Sequence, residues 1–157
     1  MGKKMDIQVD ILNEYKRWID CASDEEIKQE LALMKDNFEE INESFYKELD
    51  FGTSGMRGIL GAGTNRLNIY VLRRSNLALA SHINKNCASK SVVISYDSRK
   101  NSSRFARETA DLMSAMGIKA YLFSELTPVP VLVYAITKLS CDYGIMITAS
   151  HNPAVYN

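Results

Sequence analysis

The chain has 157 residues, enough for one domain with a real core and too few for two ordinary ones. Nineteen Lys and Arg offset nineteen Asp and Glu, which removes any electrostatic case for nucleic acid or an anionic membrane as the main partner. Cys21, Cys87 and Cys141 are odd in number and far apart with no C-x-x-C pair, so a zinc site and a thioredoxin-type motif are unsupported and three small apolar residues in a reducing compartment are expected.

The N-terminal stretch "MGKKMDIQVDILNEYKRW" carries lysines but is interrupted by Asp6, Asp10 and Glu14, so it has no apolar signal-peptide core. Gly2 is followed by Asp6 where a myristoylation signal needs Ser or Thr. No window approaches the ~18 apolar residues of a membrane span. A cytoplasmic protein is expected. Ile11, Tyr15, Trp18 and Ile19 recur at helical spacing. Ser23 with Glu26 forms a capping-box pattern that would start a second helix through Ile27, Leu31 and Met34. A third helical stretch carries Phe38, Ile41, Phe45 and Leu49. Residues 1–48 are thus expected to form a helical extension.

From Leu49 the composition shifts. "LDFGTSGMRGILGAGTNRLN" is too rich in glycine for a helix and predicts an extended or looped segment with a turn near Gly61-Ala62-Gly63. Asn68 is placed to cap a helix bearing Ile69, Leu72, Leu79 and Ile83. Strands follow at 92–96, 119–123 and 143–147. Between them lie a helix through Phe105, Thr109, Leu112 and Met116 that ends at Gly117, and a helix through 131–138 opened by Thr127-Pro128. The alternation predicts an α/β fold, a small mixed or mostly parallel sheet between helices, with ligands beyond the carboxyl ends of its strands. Two polar loops fall there: Asp97-Ser98-Arg99 and Thr148-Ala149-Ser150-His151-Asn152.

Gly61-Ala62-Gly63 opens like a dinucleotide fingerprint, but Arg66 stands where the third glycine belongs, and no phosphate loop of the G-x-x-x-x-G-K-[ST] type occurs. Ser150 is the sharper candidate. A serine hydroxyl at a strand end, beside exposed backbone N–H groups, suits an anion or a carried group, and His151 could donate nearby. Ser, His, Asn and Pro are equally the residues of an ordinary turn. Arg57 lies between Gly52, Gly55 and Gly58, which let backbone approach a ligand while the guanidinium grips a phosphate; a flexible loop with a solvated arginine is the plain alternative. Asp97 and Arg99 could grip a ligand or form a structural ion pair that holds their loop. His82, near Lys85, is expected at the surface.

Together "FGTSGMRG" (51–58), "YDSR" (96–99) and "TASHNP" (148–153) resemble, in order and spacing, motifs of the α-D-phosphohexomutase superfamily, and the chain is most similar to its phosphoglucomutase/phosphopentomutase branch. The resemblance covers the N-terminal domain only. It implies that residues 49–157 are domain I, cut just after the phosphoserine loop, and that the remaining mutase domains are absent. It implies an isomerase of carbohydrate metabolism that converts glucose 1-phosphate to glucose 6-phosphate through a bisphosphate. Phosphorylated Ser150 would be the donor, with Arg57 and His151 as further catalytic residues. Thr148, Ser150, His151, Asn152 and Arg57 would bind phosphate. Magnesium would sit on the Ser150 phosphoryl oxygen with its other ligands missing, and a sugar 1,6-bisphosphate would act as activator. The partner implied is a sugar phosphate. Mannose, glucosamine or pentose phosphates remain open as substrates, as does a non-catalytic anion-binding module. The chain alone is expected to be inactive and, with apolar surface exposed, prone to self-association.

Overall fold

The structure, a computed structural model, describes residues 2–53 and 55–157, with side chains from residue 8 onward. The chain divides into two compact units, one reaching Asn68 and taking in Tyr156, the other running from Ile69 to Val155 with Asn157. Among the described residues no helix is long and apolar enough to cross a membrane.

The first unit opens with three helices, α1 (Gly2–Cys21), α2 (Glu25–Leu33) and α3 (Phe38–Phe45). Ile11, Tyr15 and Trp18 are buried at four- and three-residue steps, one stripe of α1. Ile19 falls off that stripe and is exposed, as is Phe38 on α3. Phe45 receives Tyr15 and Trp18 edge-on, at 5.8 and 5.6 Å between ring centres. The Tyr15 hydroxyl donates to the Leu31 carbonyl at 2.7 Å, and burial, then the charge on Asp36, hold its phenol above the ordinary range. The cap of α2 is Asp24, one residue past the expected Ser23; Asp24 accepts from the Ile27 amide at 3.1 Å. A carboxylate there also meets the positive end of the helix. α3 stops at Phe45, short of Leu49, because the Leu49 amide donates instead to the Thr64 carbonyl.

The glycine-rich segment begins as a small antiparallel pair, β1 (Phe51–Gly52) and β2 (Gly55–Met56), and then bends through 61–67. That bend is tied down on the helices. The Ala62 amide donates to the Glu30 carboxylate at 2.7 Å, and the Thr64 hydroxyl to the Lys47 carbonyl at 2.7 Å. Gly63 has φ +123° and lies against Ser44, whose carbonyl oxygen would be 2.4 Å from an added Cβ. Only glycine fits there. The Asn68 side-chain amide donates into the same bend, to the Gly61 and Gly63 carbonyls at 2.9 Å.

The second unit begins with α4 (Ile69–Asn86), followed by β3 (Ser91–Tyr96), α5 (Ser102–Ala115), β4 (Lys119–Leu122), α6 (Val129–Leu139) and β5 (Tyr143–Ile147). The sheet is wholly parallel in the order β4-β3-β5, with Ile94 opposite both Leu122 and Ile145. Val92, Val93 and Ile94 of the central strand are essentially inaccessible, which fits a strand covered on both faces. The chain crosses from β3 to β4 and then back past β3 to β5; with the right-handed crossovers that parallel strands favour, this reversal puts α5 and α6 on opposite faces. A Cβ at Gly144 would lie 2.2 Å from Ile136, so α6 packs directly on β5. α4 joins α5 through a buried bond from Asn76 to the Thr109 hydroxyl, 2.8 Å, and Thr109 donates on to the Phe105 carbonyl. The turn that follows α5 passes through Gly117, φ +75°. α6 starts at Val129 with Pro128 as its cap and Pro130 in the first turn, one residue later than Thr127-Pro128 suggests. Pro128 keeps an extended backbone, φ −74° and ψ 155°, and the buried Thr127 amide donates to the Tyr96 carbonyl at 3.2 Å, so neither residue enters the helix.

Candidate functional site

The sheet order sets the site. Because β5 lies beside β3, the loops at their carboxyl ends are neighbours: 97–101 after β3 and 148–154 after β5. The Asp97 amide donates to the Ile147 carbonyl at 3.2 Å, so the two strands stay paired to the point where the loops leave.

Asp97 is the junction between the loops. One carboxylate oxygen accepts from the Arg99 amide at 3.0 Å and the Ser102 hydroxyl at 2.8 Å. The other accepts from the Thr148 hydroxyl at 2.6 Å. Thr148 in turn accepts from the Ser150 amide at 3.0 Å. Arg99 reaches over the second loop: its guanidinium donates to the carbonyls of Ser150 (2.7 Å), Asn152 (2.7 Å) and Pro153 (3.0 Å), and its Nε lies 3.5 Å from Asp97. Behind Asp97, the buried Asn157 amide donates to the Ser102 hydroxyl at 2.7 Å and to the Lys100 carbonyl at 3.2 Å.

Ser150 is exposed at the tip with φ +54°. A left-handed conformation costs a residue with a Cβ about 1–2 kcal/mol, and a residue held there is a reason to look for function. Its hydroxyl is 3.2 Å from His151 Nδ1. The loops border an open depression of about 460 Å³ lined by Ser150, Asn152, Ser98 and Lys100.

The structure therefore brings Thr148, Ser150, His151 and Asn152 together on one loop. It adds Asp97 and Arg99 as the pair that holds that loop, with Ser102 and Asn157 behind them. Asp97 and Arg99 are expected from sequence as a ligand grip or a loop-holding ion pair; the structure has them 3.5 Å apart, with the Arg99 amide also donating to Asp97. Asn157 carries no such signal, since its partners are more than fifty positions away. Arg57 belongs to the first unit, where it is exposed just after β2; Ser54 of the same glycine-rich motif lies outside the described residues. His82 lies on α4, edge-on to Tyr143 at 6.1 Å and bonded to Asn86, apart from these loops. The Gly61–Gly63 turn has its Ala62 amide committed to Glu30, which leaves that N–H no role in holding a phosphate.

Comparison with known proteins bears on the same segments. A family model described as phosphoglucomutase/phosphomannomutase, alpha/beta/alpha domain I, matches residues 48–157. The phosphoglucomutase of Staphylococcus saprophyticus is 40% identical over 80% of the chain and 24% of its own length. That of Staphylococcus aureus strain USA300 is 39% identical over 89% of the chain and 25% of its own length. A solved structure from Thermus thermophilus, described as a putative phosphomannomutase, superposes with a TM-score of 0.64 at 32% identity, covering 70% of the chain and 24% of its own. The chain thus spans about a quarter of the length of the curated relatives it matches. It belongs to the phosphoglucomutase/phosphomannomutase family and carries that family's α/β/α domain I.

Proposed function

We propose that Ser150 is the phosphoryl-carrying residue of a cytoplasmic mutase that interconverts glucose 1-phosphate and glucose 6-phosphate, with residues 1–48 as a helical extension to domain I. The observation that carries this reading is Ser150 itself: a non-glycine residue held left-handed and exposed at the carboxyl end of the sheet, its loop bonded from both sides. Relatives named phosphoglucomutase, at 37–43% identity, support glucose among the sugars.

Moving a phosphate between two positions of one sugar needs a parked phosphoryl group. In the first half-reaction the bond between Ser150 Oγ and phosphorus breaks and a bond to the free sugar hydroxyl forms. The hydroxyl proton ends on the serine oxygen, within reach of His151. The resulting sugar 1,6-bisphosphate, also the activator, turns over and returns its other phosphate to Ser150. Arg57 is, by the resemblance, a further phosphate-binding cation, its guanidinium able to hold a phosphate bidentately. Magnesium, which the resemblance implies, would when bound supply neutralisation of charge on the phosphoryl group. Among the described residues no three His, Cys, Asp or Glu side chains assemble as a metal site, and both Asp97 oxygens are engaged. Ser150, once phosphorylated, would supply one ligand through a phosphoryl oxygen.

The test is phosphate mapping by mass spectrometry on a full-length mutase carrying this domain, after exposure to glucose 1,6-bisphosphate. Label on Ser150 and loss of activity in Ser150→Ala are expected; label elsewhere, or full activity in that variant, overturns the reading. Purified residues 1–157 are expected to show no mutase activity in the same assay, because catalysis needs more groups in register than this chain assembles.

A further inference from the structure

We infer that Arg99, Asp97 and Thr148 are positioning residues that set the backbone geometry of Ser150, an inference that rests on Ser150 as the phosphoryl carrier. Ser150 is exposed, sits at φ +54° and has no glycine's freedom to do so. Backbone of residues 148–154 without side-chain support would relax from that conformation, so side-chain bonds must hold it.

Two sets of bonds do this, one on the Ser150 amide and one on the carbonyls of Ser150 and the residues after it. Arg99 takes the carbonyl side. Its planar fork gathers the Ser150, Asn152 and Pro153 carbonyls within 3.0 Å, so three partial negative charges converge on one cation. Two of its nitrogens share the task, Nη1 on Pro153 and Nη2 on Ser150 and Asn152, a fork that the single nitrogen of an ammonium lacks. Thr148 takes the amide side. Its hydroxyl accepts the Ser150 N–H and donates its own O–H to Asp97 at 2.6 Å, a directional relay that only a hydroxyl supplies. Asp97 closes the circuit, since the carboxylate that receives Thr148 also lies against Arg99 Nε. The functional consequence is electrostatic as well as geometric. Carbonyl oxygens committed to Arg99 are compensated by its charge, which lowers the repulsion a doubly charged phosphoryl group on Ser150 would meet from its own loop.

The experiment is amide hydrogen exchange and ¹⁵N chemical shift at Ser150 in the chain itself, compared with the amides of Val92, Val93 and Ile94. Arg99→Lys and Thr148→Val are each expected to speed exchange at Ser150 at least tenfold and to shift its resonance while the strand amides stay unchanged. Thr148→Ser is expected to restore the native behaviour. In a full-length mutase carrying this domain, the same two disabling variants should lower kcat with KM nearly unchanged. Native exchange and shift at Ser150 in both Arg99→Lys and Thr148→Val, or failure of Thr148→Ser to restore them, would overturn the inference. These readouts need no turnover, so they stand apart from the Ser150→Ala result, which alone decides whether Ser150 carries phosphate.

Discussion

Two glycines separate what a left-handed φ requires from what close packing requires. Gly117 has φ +75° and nothing within 4 Å of an added Cβ, so Gly117→Ala should cost about 1 kcal/mol, the conformational term alone. Gly63 has φ +123° and a carbonyl oxygen 2.4 Å from the same added atom. Gly63→Ala carries both penalties, and about 3 kcal/mol or more is expected. The measurement is the denaturant midpoint of each variant; equal losses would show that the Ser44 contact yields. A related contrast holds at Ser150, where the left-handed conformation is kept by a residue with a Cβ and stabilised by Arg99 from the neighbouring loop and by Thr148 at the start of its own. Gly63 does without a side chain, whereas Ser150 keeps one, the hydroxyl proposed to carry phosphate.

Between elements, the joint of α4 with α5 rests on a polar pair in an apolar setting. Asn76 and Thr109 are both buried and bonded to each other at 2.8 Å. Thr109→Val keeps the volume and removes the acceptor for the Asn76 amide, so about 1–3 kcal/mol should be lost. Removing both polar groups in an Asn76→Leu, Thr109→Val double variant should recover part of that loss, a coupling read from urea titrations as a double-mutant cycle. Strict additivity would argue that the bond contributes nothing beyond its two members. The element boundaries show the same competition between local and distant partners. Ser23 with Glu26 satisfies a capping rule, yet Asp24 wins, because the helix that buries Ile27 and Leu31 begins at Glu25 and leaves Asp24 in the cap position. Thr127 satisfies another, yet its amide is taken by the Tyr96 carbonyl. A one-residue offset costs the local rule little and is decided by which register fills the core.

Across the molecule's surface, β4, α6 and the loop between them present Leu122, Leu126, Val129, Val133 and Tyr134 to solvent, the last 65% exposed, while Leu132 is the residue of α6 that is buried. So apolar a surface favours association. Purified chain is expected to self-associate with rising concentration in sedimentation velocity, and Val133→Lys with Tyr134→Lys to reduce this; a monomer at every concentration would show that the face is tolerated in water. The features legible in the chain are those set by local period and local chemistry. The β-branched run at 92–94, the helix followed by Gly117 and the Tyr143–Ile147 strand are each written within a few residues. The motifs around Ser150 likewise identified the family. Which loops would meet was a matter of strand order, since β5 joins β3 on the side away from β4 only when α6 has crossed back over the sheet. That crossing brings Arg99 onto the carbonyls of residues more than fifty positions away and Asn157 behind Asp97. Hydrogen bonds of that separation leave no periodicity and no spacing rule in the chain. They exist because two parallel strands end at the same edge, a fact that only the folded sheet contains.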